Sequence, residues 1–261
     1  MTYYFGSSVL GLKITFISIH TMIIIIPIGG IGQRFKDSGY TKPKALINVS
    51  GKTIISYLLD NLNLTNIDYI FIPYNKEYKN YNLEETLKKQ YSHISFRFHC
   101  LENNTRGAAE TINIGLDKLG ETRDIPAICL DSDSFYLRDI ISKWSGENCV
   151  FTFVDFDVKP IYSYIEYNDQ GKIVNIKEKE KISDYACTGA YGFNSIQNLK
   201  KYTRRIIQKN ITQKNEFYTS GVIKEMIDDD SSFKNITIDN NKFISLGTPS
   251  QLRSFYNNFP K

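Results

Sequence analysis

Four short stretches of this chain hold residue types that handle phosphate. The first, Pro27-Ile28-Gly29-Gly30-Ile31-Gly32-Gln33-Arg34-Phe35, is glycine-rich and directly follows an isoleucine-rich run. Glycines there let the backbone approach an anion closely and turn its N–H groups toward it. Arg34 adds a fork of donors for phosphate oxygens. The second stretch, Thr41-Lys42-Pro43-Lys44-Ala45-Leu46, brings a cation, Lys44, with Pro43 stiffening the approach to it. The third, Asp131-Ser132-Asp133, places two carboxylates at i and i+2 just past an apolar run. Such a pair can hold a hard divalent cation against phosphate oxygens. The fourth, Thr105-Arg106-Gly107-Ala108-Ala109-Glu110-Thr111, opens a helical pattern with small residues. A helix start of that kind leaves N–H groups unpaired and room for a flat base.

Taken singly, each stretch also has a plainer reading: a glycine turn with two surface cations, a helix capped by Thr105, a solvated Asx turn. The glycine loop is neither a dinucleotide-binding fingerprint, because the next helical pattern starts only near Thr53, nor a Walker loop, because no Gly-Lys-Ser/Thr follows. No Ser/His/Asp set is evident.

The elements that must position these residues are legible from hydrophobic periodicity. Met22–Pro27 is a short, continuously apolar run ending at the glycine loop, the pattern of a buried parallel strand feeding a ligand loop. Helical spacing covers 53–62, 83–90 and 107–119, and strand-like runs cover 67–73, 94–100 and 125–130. Strands alternating with helices predict βαβ units and a twisted, mostly parallel sheet. The second half changes character: strands at 150–154, 162–167, 173–176 and 190–193, with a turn at Asn168-Asp169-Gln170-Gly171, then helices at 196–208 and 217–227. The expected architecture is α/β, with helices on both faces of the sheet and a mixed substrate-binding half.

Composition narrows the class. The 261 residues are 41% hydrophobic and 23% charged, enough for one large α/β domain that buries its core without staples. A net charge of +4 is too small to argue for nucleic acid and suits an anionic small substrate. Cys100, Cys129, Cys149 and Cys187 form no CxxC pair and read as buried, reduced thiols of a cytoplasmic protein. His20, His93 and His99 lack zinc-ligand spacing. The apolar stretch from Val9 to Ile28 is broken by Lys13 and His20 and runs straight into the glycine loop, so neither a membrane span nor a signal peptide is expected. Residues 1–21 read as an N-terminal extension and 22–261 as the functional domain. The acidic run Asp228-Asp229-Asp230 and the basic stretch Lys200–Lys209 read as solvated faces.

The combination of Gly-x-Gly-x-Arg at 30–34, Pro43-Lys44 and Val49-Ser50-Gly51-Lys52-Thr53-Ile54-Ile55 closely resembles the nucleotide-sugar pyrophosphorylases, which are sugar-phosphate nucleotidyltransferases. The resemblance covers residues 22–256 and implies a Rossmann-related, GT-A-like fold. Gln33 stands where Thr or Ser is usual, and Ile28-Gly29 where Ala-Ala is usual. The resemblance implies nucleotide contacts at Ile28, Gly29, Gly30, Gly32, Gln33, Thr105 and Gly107, the last two at the base. It implies catalytic roles for Arg34, Lys44 and Asp133. Asp133 matches the family's metal-binding aspartate, so Mg²⁺ is the expected cofactor, with Asp131 helping through water. Glu178-Lys179 resembles the family's V-x-x-E-K element, and Thr188-Gly189-Ala190-Tyr191 its T-G-x-Y strand. They imply that Glu178 takes sugar hydroxyls, Lys179 the sugar phosphate, and the backbone at Thr188 and Gly189 lines the sugar. Glu216–Ser220 and the late turn Leu246-Gly247-Thr248-Pro249 match further family elements, the turn being read as structural. Many relatives carry a second acidic or amide metal ligand just after the Glu216 element, where this chain has Ser220-Gly221-Val222; Cys187 stands where N-acetylhexosamine-specific relatives often have Asn.

The expected reaction joins a nucleoside triphosphate, UTP ahead of dTTP or CTP, to a sugar 1-phosphate and releases pyrophosphate. Three alternatives stand beside it: a cytidylyltransferase for a non-sugar phosphate such as choline phosphate, a GT-A glycosyltransferase, and a non-catalytic nucleotide-sugar-binding protein. The glycosyltransferase would not need the glycine loop with Pro-Lys, and a sensor could lose Arg34, Lys44 and Asp133.

Overall fold

The computed structural model describes residues 21–258. Apart from Thr21, the expected 1–21 extension lies outside them. In chain order the elements are β1 (Met22–Ile25), α1 (Gln33–Asp37), β2 (Asn48–Val49), β3 (Lys52–Thr53), α2 (Ile54–Leu59), β4 (Ile67–Asn75), α3 (Leu83–Gln90), β5 (Phe96–Leu101), α4 (Ala108–Leu119) and β6 (Ala127–Leu130). There follow β7 (Ser134–Tyr136), β8 (Cys149–Val154), β9 (Ser163–Tyr167), β10 (Ile173–Glu178), β11 (Tyr185–Phe193), α5 (Ile196–Gln208), α6 (Thr219–Asp228), β12 (Lys234–Thr237), β13 (Phe243–Ser245) and α7 (Pro249–Asn258).

A mostly parallel central sheet flanked by helices results. Strands β5, β4, β1 and β6 run parallel, and β11, β9 and β10 extend the sheet antiparallel; β8 pairs with β11 on one side and with β12 on the other. Alternation along β1 decides which face each isoleucine covers. Ile24 and Ile26 join the core with α2 and α3 (Leu58, Leu87), whereas Ile23 and Ile25 join the core with α4, α5 and α6 (Ile112, Leu199, Ile223). All four isoleucines are fully buried. A β1 apolar on both faces is what a doubly covered parallel strand requires.

A third, smaller core sits apart from the two main ones. It joins Phe35, Ile47, Val49, Ile54, Phe135, Leu246, Leu252 and Phe255, drawn from the segments beside the glycine loop, Lys44, Asp133 and the late turn. Rings of Tyr57, Phe135 and Phe255 meet edge-on or tilted at 4.9–6.3 Å.

Beyond the central strands, β11 changes neighbours. Ala190–Phe193 pair with β6, and Ala186 pairs with β9 on the same side. Between them Thr188 and Gly189 face the point where β6 has just ended, so the sheet itself leaves a crevice past the carboxyl end of β6.

Expected and observed elements agree closely in the first half. In the second half α6 begins at Thr219 instead of 217 and β11 starts five residues before the expected 190, while the short strands β2, β3, β7, β12 and β13 and the helix α7 were not expected. The five early residues of β11 are mixed polar and apolar, a pattern that hides a strand buried on both faces. Three thiols are buried and Cys100 is half-buried; all four are unpaired. Asp228 and Asp229 pair with Lys224 and Arg205, and Lys200 with Asp117, so both charge runs are solvated faces. Among the described residues no helix is long and apolar enough to cross a membrane.

At the far end of the sheet Glu121 ties α4 to β4. Arg123 donates to its carboxylate from Nε at 3.0 Å and a terminal nitrogen at 2.9 Å, and Tyr69 donates at 2.9 Å. The Arg123 guanidinium holds the Glu121 carboxyl at about 2, against an ordinary 4.5. A depressed carboxyl stabilises fully above its ordinary range, and that stability is lost as pH falls from 4.5 through about 2. Urea midpoints measured down that range should therefore fall more steeply for the wild type than for Glu121→Gln; parallel curves would contradict the assignment.

Candidate active site

The glycine loop leaves β1 at the carboxyl end of the sheet. Ile28 still belongs to the sheet: its N–H donates to Pro73 at 2.9 Å and its carbonyl accepts from Asn75 N–H at 3.0 Å. These two bonds anchor the start of the loop to the sheet. The N–H groups of Gly30, Gly32, Gln33 and Arg34 have no partner among the described residues. Gly32 takes φ 66° and heads α1, and its carbonyl accepts from Phe35 and Lys36. Gln33 and Arg34 are exposed, the Gln33 amide donating to Asp37 at 2.6 Å, while Phe35 is buried in the small third core.

Lys44 enters from a tight turn started by Pro43. Its ammonium lies 2.8 Å from Asp133 Oδ2, across 89 positions of sequence. The two side chains are 27% and 18% exposed, so the pair is shielded but reachable. Burial opposes ionisation of Asp133, yet the Lys44 charge and hydrogen bond, Asp133's own N–H and the Arg34 charge outweigh it and hold the carboxyl below its ordinary value. Arg34, Lys44 and Asp133 therefore act on one another in a single cleft.

Asp131 starts the crevice. Its N–H donates to the Gly189 carbonyl at 2.8 Å, and no hydrogen bond reaches its carboxylate among the described residues. Burial, and then the neighbouring Asp133, push Asp131 up to about 8. Two glycines make this packing possible. At Gly189, where φ is 86°, a Cβ would sit 2.6 Å from Asp131 Oδ2. At Gly247 a Cβ would collide with Asp133 Oδ2, while Leu246 N–H donates to the Asp133 carbonyl at 2.8 Å. The late turn, read from sequence as structural, thus forms the wall behind Asp133.

Thr188 stands behind the crevice. It is 2% exposed, and its carbonyl accepts from Ser134 at 2.5 Å and Tyr136 at 3.2 Å, while its hydroxyl donates to Phe151. With its hydroxyl and carbonyl bonded inside, Thr188 supports the Asp131 loop, and buried Gly189 packs against Asp131.

Glu178 ends β10 with its side chain 8% exposed. One carboxylate oxygen accepts from Ser163 and, at 3.1 Å, from Ser220. Lys179 follows with φ 53°; its ammonium donates to the Tyr218 hydroxyl at 2.6 Å and lies 3.7 Å from the other Glu178 oxygen. Ser220, at the place where relatives carry a further metal ligand, is used here to hold Glu178.

The start of α4 departs from expectation. Gly107, with φ 142°, occupies the cap position, and Thr105 pairs instead with the Thr111 hydroxyl at 2.6 Å. The Ala109 N–H, expected to be unpaired, donates to the Phe217 carbonyl at 3.0 Å. Sequence reading missed three contributors. Asn75 is buried and donates to the Gly29 carbonyl at 3.1 Å and to Asn104 at 2.8 Å, bracing the glycine loop against the segment before Thr105. Tyr218 and Gly247 are the others. Asn75 ends an apolar strand, and a polar residue at that place was the available signal.

The donor set fits a magnesium ion. Mg²⁺ takes one or two carboxylates and completes its shell from phosphates and water, and Asp131 with Asp133 offers that set. The crowding that raises Asp131 would be relieved by a divalent charge beside the pair. Among the described residues no cluster of three or more His, Cys, Asp or Glu side chains would hold a metal without such help.

An open, central parallel sheet with an anion-ready glycine loop, two cations and an aspartate pair in one crevice defines a nucleotide-handling α/β protein. The nucleotidyl transferase family model matches residues 23–257, and the chain belongs to that family. No curated protein matches it significantly. Among solved structures it is similar to a nucleoside-diphosphate-sugar pyrophosphorylase from Vibrio cholerae RC9, 22% identical over 90% of this chain and all of the other, with a TM-score of 0.78. It is also similar to the inositol-1-phosphate CTP transferase from T. maritima, 14% identical over 89% and 91% of the two chains, TM-score 0.70. A third is the CTP:phosphocholine cytidylyltransferase from Streptococcus pneumoniae, 16% identical over 91% and 99%, TM-score 0.68. At these identities the likeness concerns the fold.

The wall behind Asp133 gives a direct test. Gly247→Ala should displace the carboxylate and lower kcat/KM on the order of 10²-fold, the scale of an ångström-sized misplacement. Calorimetry should find the melting temperature nearly unchanged; full activity would remove the turn from the site.

Proposed function

We propose that this protein transfers a nucleotidyl group from a nucleoside triphosphate to a sugar 1-phosphate, forming a nucleotide sugar and pyrophosphate. The observation that carries the reading is the convergence of Arg34, Lys44 and Asp133, with Lys44 Nζ 2.8 Å from Asp133 Oδ2.

In this reading an oxygen of the acceptor phosphate attacks the α-phosphorus in line with the departing pyrophosphate. The N–H groups of Gly30, Gly32 and Gln33, with Arg34, hold the β- and γ-phosphates as their charge grows. Lys44 moves its ammonium from Asp133 to the α-phosphoryl oxygens, a short swing for a flexible side chain already in the cleft. Asp133, with Asp131 beside it, would hold Mg²⁺, which supplies Lewis-acid neutralisation of the reacting phosphates. The segment Thr105–Gly107, braced by Asn75 through Asn104, borders the base. Lys179 takes the acceptor phosphate, and Glu178 accepts from acceptor hydroxyls. No side chain is asked to form a covalent intermediate.

The polar lining of the acceptor side, with Glu178, Ser163 and Ser220, supports a hydroxyl-bearing acceptor over a quaternary amine. UTP is the proposed nucleotide. The four unpaired thiols support a cytoplasmic setting.

Pyrophosphate release from a panel of UTP, dTTP, CTP and ATP, each with glucose 1-phosphate, N-acetylglucosamine 1-phosphate and phosphocholine, tests the proposal. Release is expected with a sugar 1-phosphate and UTP; release with phosphocholine alone would overturn the acceptor assignment. Arg34→Ala and Lys44→Ala should each cost on the order of 10²–10³ in kcat. Unchanged turnover in Lys44→Ala would remove Lys44 from the mechanism.

A further inference from the structure

Lys179 does not face the cleft alone. Its ammonium donates to the hydroxyl of Tyr218 at 2.6 Å. An ammonium has only protons to give, so the phenol oxygen is the acceptor, and the single phenol proton, which faces the Glu216 carboxylate in the free protein, is the one that can turn to an incoming anion. A donor pair of this kind, one charged and one neutral, matches two oxygens of a phosphate. We infer that the Tyr218 hydroxyl is a second donor to the acceptor's phosphate, working beside Lys179; the inference rests on the proposed reaction.

The surroundings hold Tyr218 in this place. Phe217 N–H donates to the Arg106 carbonyl at 2.7 Å, and the Phe217 carbonyl accepts from Ala109 at 3.0 Å. The Arg106 guanidinium covers the Phe217 ring at 4.5 Å from its centre. Two residues past Tyr218, Ser220 donates to Glu178 at 3.1 Å. Tyr218 therefore lies on a short segment pinned at one end to the start of α4 and at the other to the acceptor carboxylate. Lys179 is fixed too, since its N–H donates to the Tyr162 carbonyl at 2.8 Å. Burial, followed by the charges of Glu216 and Glu178, raises the phenol above its ordinary range, so its proton is present at neutral pH. The Arg34 charge opposes that rise.

Tyr218→Phe keeps the ring and its packing and removes only the hydroxyl. Kinetics would be run with glucose 1-phosphate and with phosphocholine at saturating triphosphate, and binding of the same two phosphates followed by phosphorus NMR. The KM and Kd of the acceptor should rise about tenfold or more, the scale of a hydrogen bond to a charged group. The KM for the triphosphate should stay within about twofold, and the Lys179→Met/Tyr218→Phe pair should lose less than the product of the single losses. Unchanged acceptor KM and binding in Tyr218→Phe, an equal rise in the triphosphate KM, strictly multiplicative losses, or failure of the wild type to bind either phosphate would each overturn the inference. If the wild type releases no pyrophosphate from any pair while Tyr218→Phe still weakens phosphate binding, the reaction falls and this inference stands.

Discussion

The small apolar core of Phe35, Ile47, Val49, Ile54, Phe135, Leu246, Leu252 and Phe255 is what the site depends on. Phe35 follows Arg34, Ile47 closes the turn that carries Lys44, Phe135 lies two residues past Asp133, and Leu246 precedes Gly247. Burying these four in one cluster brings together residues that the sequence scatters over more than two hundred positions. The ion pair between Lys44 and Asp133 could not do so by itself, because a partly exposed pair contributes little net stability. Apolar burial supplies the energy, and the charged groups are then held where their mutual interaction is useful.

That arrangement stores electrostatic tension. Asp131 and Asp133 crowd each other in a crevice formed where β11 changes neighbours, and burial, then the Asp133 charge, push Asp131 up to about 8. Arg34 and Lys44 offset part of the crowding at Asp133. A cleft with both acids and bases, each incompletely satisfied, suits a polyphosphate accompanied by a divalent cation: the ligand completes both sets. At the proposed acceptor side the logic repeats at smaller scale, with Glu178 and Lys179 braced by Ser163, Ser220 and Tyr218.

Much of this was legible in the sequence, for physical reasons. Ile-rich β1 and the amphipathic α3, α4 and α5 have clean periodicities, and Gly30, Gly32, Arg34, Lys44 and Asp133 have side chains or backbones with few plain alternatives in that order. Other features depend on partners that only the fold supplies: Pro73 and Asn75 for the Ile28 backbone, Thr111 for the Thr105 hydroxyl, and Ser134 with Tyr136 for Thr188. Asn75 was missed because one polar residue carries no period, and Gly247 was read only as part of a turn because Asp133, which it packs against, is far away in sequence. The closing helix α7 was also not read, although Leu252 and Phe255 complete the third core.

The central claim is that one bound polyphosphate meets both cations and the aspartate pair at once. Diffraction from crystals grown with Mn²⁺ and a UTP analogue that cannot release pyrophosphate tests it most directly. The account expects an anomalous manganese peak at Asp133, with the phosphate chain lying against Arg34 and Lys44. Manganese bound away from Asp133, or phosphates seated outside the cleft between Arg34 and Lys44, would contradict it.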